Sequence, residues 1–213
     1  MGLADFWLER AALSLDFDQA GFVVVDTETS GLDVRHDRLL SIGACLVEGC
    51  CVSLDRSFYR ELRQEVASGV DNILLHGIGA QAQLRGDPHA VALRAFLEFA
   101  GKRPLVAFNA PFDHAFLARD VRQHLHARFA PTWIDAAELP KALFPSEAQV
   151  EKTLDDWLLH LSIEDIERHN ALGDAYATAQ FFIVMLAKAR REGYWNARGL
   201  LRAQKNHHWQ RKR

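Results

Sequence analysis

The run Phe22-Val23-Val24-Val25-Asp26 constrains this chain most: four apolar, largely β-branched residues that stop at a carboxylate. Such residues suit a pleated, buried surface, so the run predicts an inner strand of a sheet. Glu28 follows two positions on. If extended geometry persists, a period of two sends Asp26 and Glu28 to the same face. Acids at the end of a buried strand are not where stability alone would put them.

The rest of the chain supplies partners for that strand. Thr29 to Asp33 is a turn, and two further strands, Arg38 to Leu46 and Cys51 to Tyr59, are joined by a tight turn at Glu48-Gly49. Three strands with short links predict an antiparallel meander. The pattern then changes to helices at Pro88 to Ala100 and Pro111 to Leu125, with short strands at Pro104 to Phe108 and Thr132 to Asp135. Helices are also expected at Thr153 to Leu161, Leu172 to Arg190 and Tyr194 to Gln204. In the longest, Ala175, Ala179, Phe182, Ile183 and Leu186 recur at helical spacing. The expected fold is therefore α/β, a mixed sheet with an initial antiparallel meander, flanked by helices. Three regions result: an N-terminal helical extension over 1–19 (with Phe6 to Leu13 as its helix), a body over 20–192, and a C-terminal helix and basic tail over 193–213.

Composition narrows the function classes. Among 213 residues, 49% are hydrophobic and 25% charged, which is globular rather than disordered. Cys45, Cys50 and Cys51 have no metal-binding or redox spacing, and reduced thiols are expected. No signal peptide or bilayer-length apolar stretch is visible, so a soluble, cytoplasmic protein with no membrane partner is expected. A formal net charge of -3 argues against a passive nucleic-acid coat but not against an enzyme. Bound cations can reverse the sign of an acidic pocket. The tail from Lys205 to Arg213 is basic; it could touch a phosphate backbone, and as a terminus it is also readily a solvated end.

Two more acids share the setting of Asp26 and Glu28. Asp113 follows the second buried strand, within Phe108-Asn109-Ala110-Pro111-Phe112-Asp113, and Asp174 begins a mostly apolar helix. Open α/β sheets bind ligands at the carboxyl ends of their strands, where these acids could converge. Four neighbouring carboxylates resist full ionisation together, which makes hard divalent cations attractive companions. Taken singly, Asp26 reads better as a turn or capping acid, and Asp174 as a first-turn acid favoured by the helix dipole. His169 adds a base. It could share a site with Asp174 only from a loop leading into the helix, which Asn170 as a cap and Gly173 permit.

Three segments together resemble the DEDDh exonucleases, the family of the proofreading subunit of bacterial DNA polymerase III and of ribonuclease T. They are Val24-Val25-Asp26-Thr27-Glu28-Thr29-Ser30-Gly31-Leu32-Asp33, Asn109-Ala110-Pro111-Phe112-Asp113, and His169-Asn170-Ala171-Leu172-Gly173-Asp174. The resemblance covers about residues 20 to 190. It implies a ribonuclease H-like sheet and a 3'→5' exonuclease that releases nucleoside 5'-monophosphates. By resemblance, Asp26, Glu28, Asp113 and Asp174 would hold two divalent ions, Mg2+ or Mn2+, and His169 would be the general base. Thr27, Thr29 and Leu32 would meet the terminal nucleotide, His76 would lie along its pocket, and Asn109 and Phe112 would shape the cleft. The implied partners are nucleic-acid 3' ends, DNA favoured over RNA, with a polymerase or repair partner. RNA trimming and a non-catalytic binding module are the alternatives. Phe108 departs from the His that many relatives carry before the Asn of the second segment.

Overall fold

A computed structural model of the chain describes residues 12–163 and 170–210. The first strand is β1 (Gly21–Thr29), followed by β2 (Leu39–Glu48) and β3 (Cys51–Glu61). They form the expected meander: β1 pairs antiparallel with β2, and β2 with β3. Three helices come next, α1 (Val70–His76), α2 (Ala80–Arg85) and α3 (His89–Ala100). The chain then enters β4 (Leu105–Ala107), α4 (Ala110–Leu125) and β5 (Trp133–Asp135). Strands β4 and β5 run parallel to β1, with Val23 opposite Leu105 and Val106 opposite Ile134. Helices α5 (Leu139–Leu143), α6 (Leu154–His160), α7 (Ala171–Arg191) and α8 (Ala197–Gln210) complete the described chain.

The sheet order is β3-β2-β1-β4-β5. Strand β1 is central because its apolar residues serve both faces: Phe22, Val23, Val24 and Val25 are fully buried. Phe22 and Val24 join one apolar layer with Phe181, Phe182 and Met185 of α7. Val23 and Val25 join the other, with Phe96 of α3 and Phe116 of α4. Each buried phenylalanine contributes roughly 1.5–3 kcal/mol by leaving water. Phe22 and Phe182 also meet edge to face, with ring centroids 5.2 Å apart.

Small residues bring α7 close to the sheet. Ala171, Ala175 and Ala179 are fully buried on its inner side. Opposite them stands Gly43 in β2, where a Cβ would lie 2.1 Å from the Ala171 carbonyl carbon. The Cys45 thiol donates to the Ala175 carbonyl at 3.6 Å, and burial pushes its pKa up to about 12, so it remains a protonated donor. All three cysteines are free thiols.

Helices α1, α2 and α5 lie outside the sequence expectation. The first two have seven and six residues and are bounded by glycines. Too short to show a repeating apolar face, they are held by side-chain ties, such as Gln83, which donates to the Ser68 hydroxyl and the Ile78 carbonyl. The expected Phe6 to Leu13 helix falls mostly outside the described residues. The described chain begins with a 3-10 turn at Ala12–Ser14 and a tie from the Phe17 amide to the Trp195 carbonyl at 3.0 Å. No described helix is long and apolar enough to cross a membrane.

Candidate active site at the strand ends

Strands β1 and β4 run side by side in one direction, while the chain leaves β1 toward β2 and leaves β4 toward β5. That divergence opens a crevice at their carboxyl ends, the place where open α/β sheets accept ligands. Asp26, Thr27, Glu28 and Thr29 occupy the end of β1.

Asp26 and Glu28 continue the side of β1 that Phe22 and Val24 begin, as the period of two requires. Asp174 reaches the same side from the first turn of α7. Carboxylate oxygens of Asp26, Glu28 and Asp174 all lie within 4.8 Å of one another, and each residue is half-buried. The approach depends on two local features. Asn170 caps α7, its side chain accepting the Gly173 amide at 2.8 Å. Gly43, the partner of Asp26 across the ladder, leaves room for the backbone of Ala171 and Leu172.

Asp113 arrives from the other side. It sits in the first turn of α4, only 3% exposed, and accepts a hydrogen bond from the Thr27 hydroxyl at 2.8 Å. Burial pushes its pKa up to about 7, against the pull of that hydrogen bond; Asp135 adds a smaller push in the same direction. Asp113 therefore stands beside the trio across the thickness of β1, and three of the four expected acids share the tight group.

The turn after β1 is fixed by Asp37, which accepts from the Ser30 hydroxyl at 3.1 Å and the Asp33 amide at 2.8 Å. Gly31 is needed there, because a Cβ would meet the Asp37 carboxylate at 2.4 Å. The turn leaves Leu32 84% exposed. The Thr29 hydroxyl donates to the Gly31 carbonyl at 2.7 Å, and the Thr29 carbonyl accepts from the Asn72 amide of α1 at 3.1 Å. His76 is buried and works through that asparagine. Its Nδ1 accepts the Ile78 amide at 3.0 Å, so Nε2 carries the proton toward Asn72 Oδ1 at 2.7 Å. Burial lowers its pKa, consistent with a neutral ring. Leu74 and Leu75 of α1 are exposed.

Asn109 is exposed at the start of α4 in a left-handed conformation, φ 67°, and its amide donates to Asp135 Oδ1 at 3.1 Å. Phe112 is half-buried, its ring 5.0 Å from that of Phe116. His169 lies outside the described residues. Two residues not singled out from the sequence belong to the neighbourhood. Asp135, at the end of β5, holds the amides of Asn109 and Ala137, and burial raises its pKa. Tyr59 lines up with Gly43 and Asp26 across β3, β2 and β1; burial, then Glu61, keep its phenol protonated. An acid at the end of a third strand was the readable sign of Asp135. Nothing local marked Tyr59, whose place depends on strand register.

A family model described as Exonuclease matches residues 23–182. The PolC-type DNA polymerase III of Thermotoga maritima is 27% identical over 179 residues, 83% of this chain and 13% of that protein. This chain thus spans only a small part of the polymerases it resembles. The DNA polymerase III subunit epsilon of Rickettsia felis is 29% identical over 170 residues, 76% of this chain and 72% of that protein. Exonuclease X, solved with 5' overhanging duplex DNA, has a TM-score of 0.67 at 18% identity, covering 86% of this chain and 99% of that one. E. coli Exonuclease I, solved with a dT13 oligonucleotide, has a TM-score of 0.68 at 18% identity, covering 81% and 42%. At such identities the two structures speak for the fold, a ribonuclease H-like sheet flanked by helices.

Proposed function

From the premise that this chain belongs to the exonuclease family, we propose that it hydrolyses terminal phosphodiester bonds of DNA from the 3' end, releasing nucleoside 5'-monophosphates. The chain is a nuclease, and divalent metal use is typical of its family. The observation that carries the finer reading is the approach of Asp26, Glu28 and Asp174 to within 4.8 Å, beside a buried Asp113. An all-oxygen donor set suits hard divalent cations.

Asp26, Glu28, Asp113 and Asp174 would hold two ions, Mg2+ or Mn2+, which supply positive charge to the phosphate, the attacking water and the departing 3'-oxygen. The chain's own groups do the rest. Thr27 orients Asp113 through its hydroxyl. His169, just before the Asn170 cap, accepts the proton of the attacking water. Leu32, Leu74 and Leu75 give the rim an apolar surface on which a terminal base can rest while its phosphate faces the acids. Thr29 is held by Asn72 and, through it, His76, and Asn109 and Phe112 would shape the cleft. DNA is favoured because relatives are named as DNA polymerase III proteins and structural neighbours were solved with DNA. The same names support a polymerase or repair partner, and a cytoplasmic location accords with them. Residues 20–192 form the exonuclease unit, with 1–19 and 193–213 as extensions to it.

The test is mononucleotide release from matched single-stranded DNA and RNA oligonucleotides, with Mg2+, Mn2+ or EDTA, by wild type and Asp113→Asn. Metal-dependent release, lost in the variant and faster on DNA, is expected. Faster release from RNA would assign the chain to RNA trimming. Folded protein that turns over neither substrate would overturn the enzymatic reading.

A further inference from the structure

A second cluster of ligating side chains lies away from the strand ends, between the start of α3 and the last turns of α4. It consists of His89, Asp120 and His124, whose donor atoms all lie within 4.8 Å of one another. Asp120 and His124 are one helical turn apart on α4, the spacing at which two side chains share a face. His89 approaches from the first residue of α3.

The hydrogen bonds of His89 make the cluster informative. Its Nε2 faces the Arg63 carbonyl oxygen at 3.1 Å, and its Nδ1 faces Asp120 Oδ2 at 3.0 Å. A carbonyl only accepts, so Nε2 carries the ring proton. If the imidazole is neutral, the Nδ1 lone pair meets a carboxylate oxygen, and a cation bound by both atoms has to offset their repulsion. A second proton could fill that role, making an imidazolium. Two features favour a metal ion instead. His124 adds a third donor, its ring centroid 4.4 Å from that of His89. Asp120, itself buried, and His124 stand one turn apart on α4, so that all three donors lie together.

We propose that His89, Asp120 and His124 bind a borderline transition-metal ion of the zinc class, clamping α3 to α4 at a site separate from the catalytic acids. Two imidazoles and a carboxylate form a common zinc donor set, with water completing the coordination on the exposed side of His124. The outer contacts are those such ligands use. His89 gives its other N–H to a backbone carbonyl, and Asp120 Oδ1 accepts from Arg119 Nε and Nη2 at 2.7 Å each. Arg119 is anchored in turn on the Val34 and Asp37 carbonyls, at 2.6 and 2.5 Å. This donor set differs in kind from the oxygen-only group at the strand ends.

The test titrates ZnCl2 into the metal-stripped full chain near neutral pH, in competition with a chromophoric chelator, while thermal melts are followed in parallel. Wild type, His124→Gln and Asp174→Asn are compared. His124 is exposed, so its variant keeps the fold. Zinc binding that persists in Asp174→Asn, weakens about 10- to 100-fold in His124→Gln, and raises the melting temperature only where it persists is the expected result. Equal zinc affinity in wild type and His124→Gln would overturn the site. So would zinc uptake that disappears in Asp174→Asn, and so would the absence of any uptake, which would leave His89 and Asp120 as a protonated ion pair.

Discussion

The two sides of the end of β1 treat the same chemical group in opposite ways. On one side Asp26 and Glu28 share a half-exposed space with Asp174. On the other, Asp113 is buried against the Thr27 hydroxyl and its pKa is driven up to about 7. Alternation along a single strand produces this contrast: Asp26 and Glu28 point one way and Thr27, between them, points the other. The difference teaches that an acidic site need not hold acids of one kind. Burial is what sets Asp113 apart, holding its proton up to about pH 7 when no cation is near.

The largest effect is expected from the wetter side. Asp174→Asn should lower turnover on the order of 10²- to 10³-fold, the scale of losing one preorganised charge contact, while the melting temperature stays near that of wild type. Undiminished turnover would remove the trio from the chemistry.

The buried side should answer in stability as well as rate. Asp113 has a folded pKa raised to about 7 by burial, above its unfolded value. Its contribution to stability is thus full below about pH 4 and is lost as pH rises through about 7. Asp113→Asn removes that loss. In EDTA the variant should be more stable than wild type at mildly alkaline pH, on the order of 1–4 kcal/mol in urea melts, with the gap closing near pH 4. A gap that does not change with pH would mean that burial is not what sets Asp113 apart.

Smaller effects should come from the groups that hold the wetter side together. Gly43→Ala places a methyl group against the first turn of α7 and should cost about 1–3 kcal/mol, with a loss of turnover as Asp174 moves from Asp26 and Glu28. If the variant melts and turns over like wild type, the close approach at Gly43 does not position the trio. Asn170→Ala removes a helix cap and should cost about 1 kcal/mol in the same melts. Unchanged melting would show that the start of α7 is held by packing alone.

Much of this contrast was readable from the chain, and the unreadable part has a physical pattern. Phe22 to Val25 announced a strand because β-branched residues suit a buried sheet, and a period of two put Asp26 and Glu28 together. Asn170 could be recognised as a cap because capping is local. The side from which Asp113 enters was hidden, since it depends on the face of the sheet that α4 covers. Gly43 read as an ordinary strand residue; its importance rests on a helix that begins at Ala171. The pairing of Asp120 with His124 is local to one helix, whereas the approach of His89 depends on how α3 lies against α4. Helices α1 and α2 are not legible in the sequence because elements of seven and six residues carry too few positions to display a period.

The register of the sheet also sets an order of assembly. Strands β1, β2 and β3 are consecutive hairpins, whose pairing closes short loops and is quick. Pairing Val23 with Leu105 must wait for a far longer loop to close, and the first turn of α7 comes from later still in the chain. A growing chain therefore exhibits Asp26 and Glu28 well before it can deliver Asp174 to them. Catalytic competence is expected only once α7 has docked and brought Asp174 to Asp26 and Glu28.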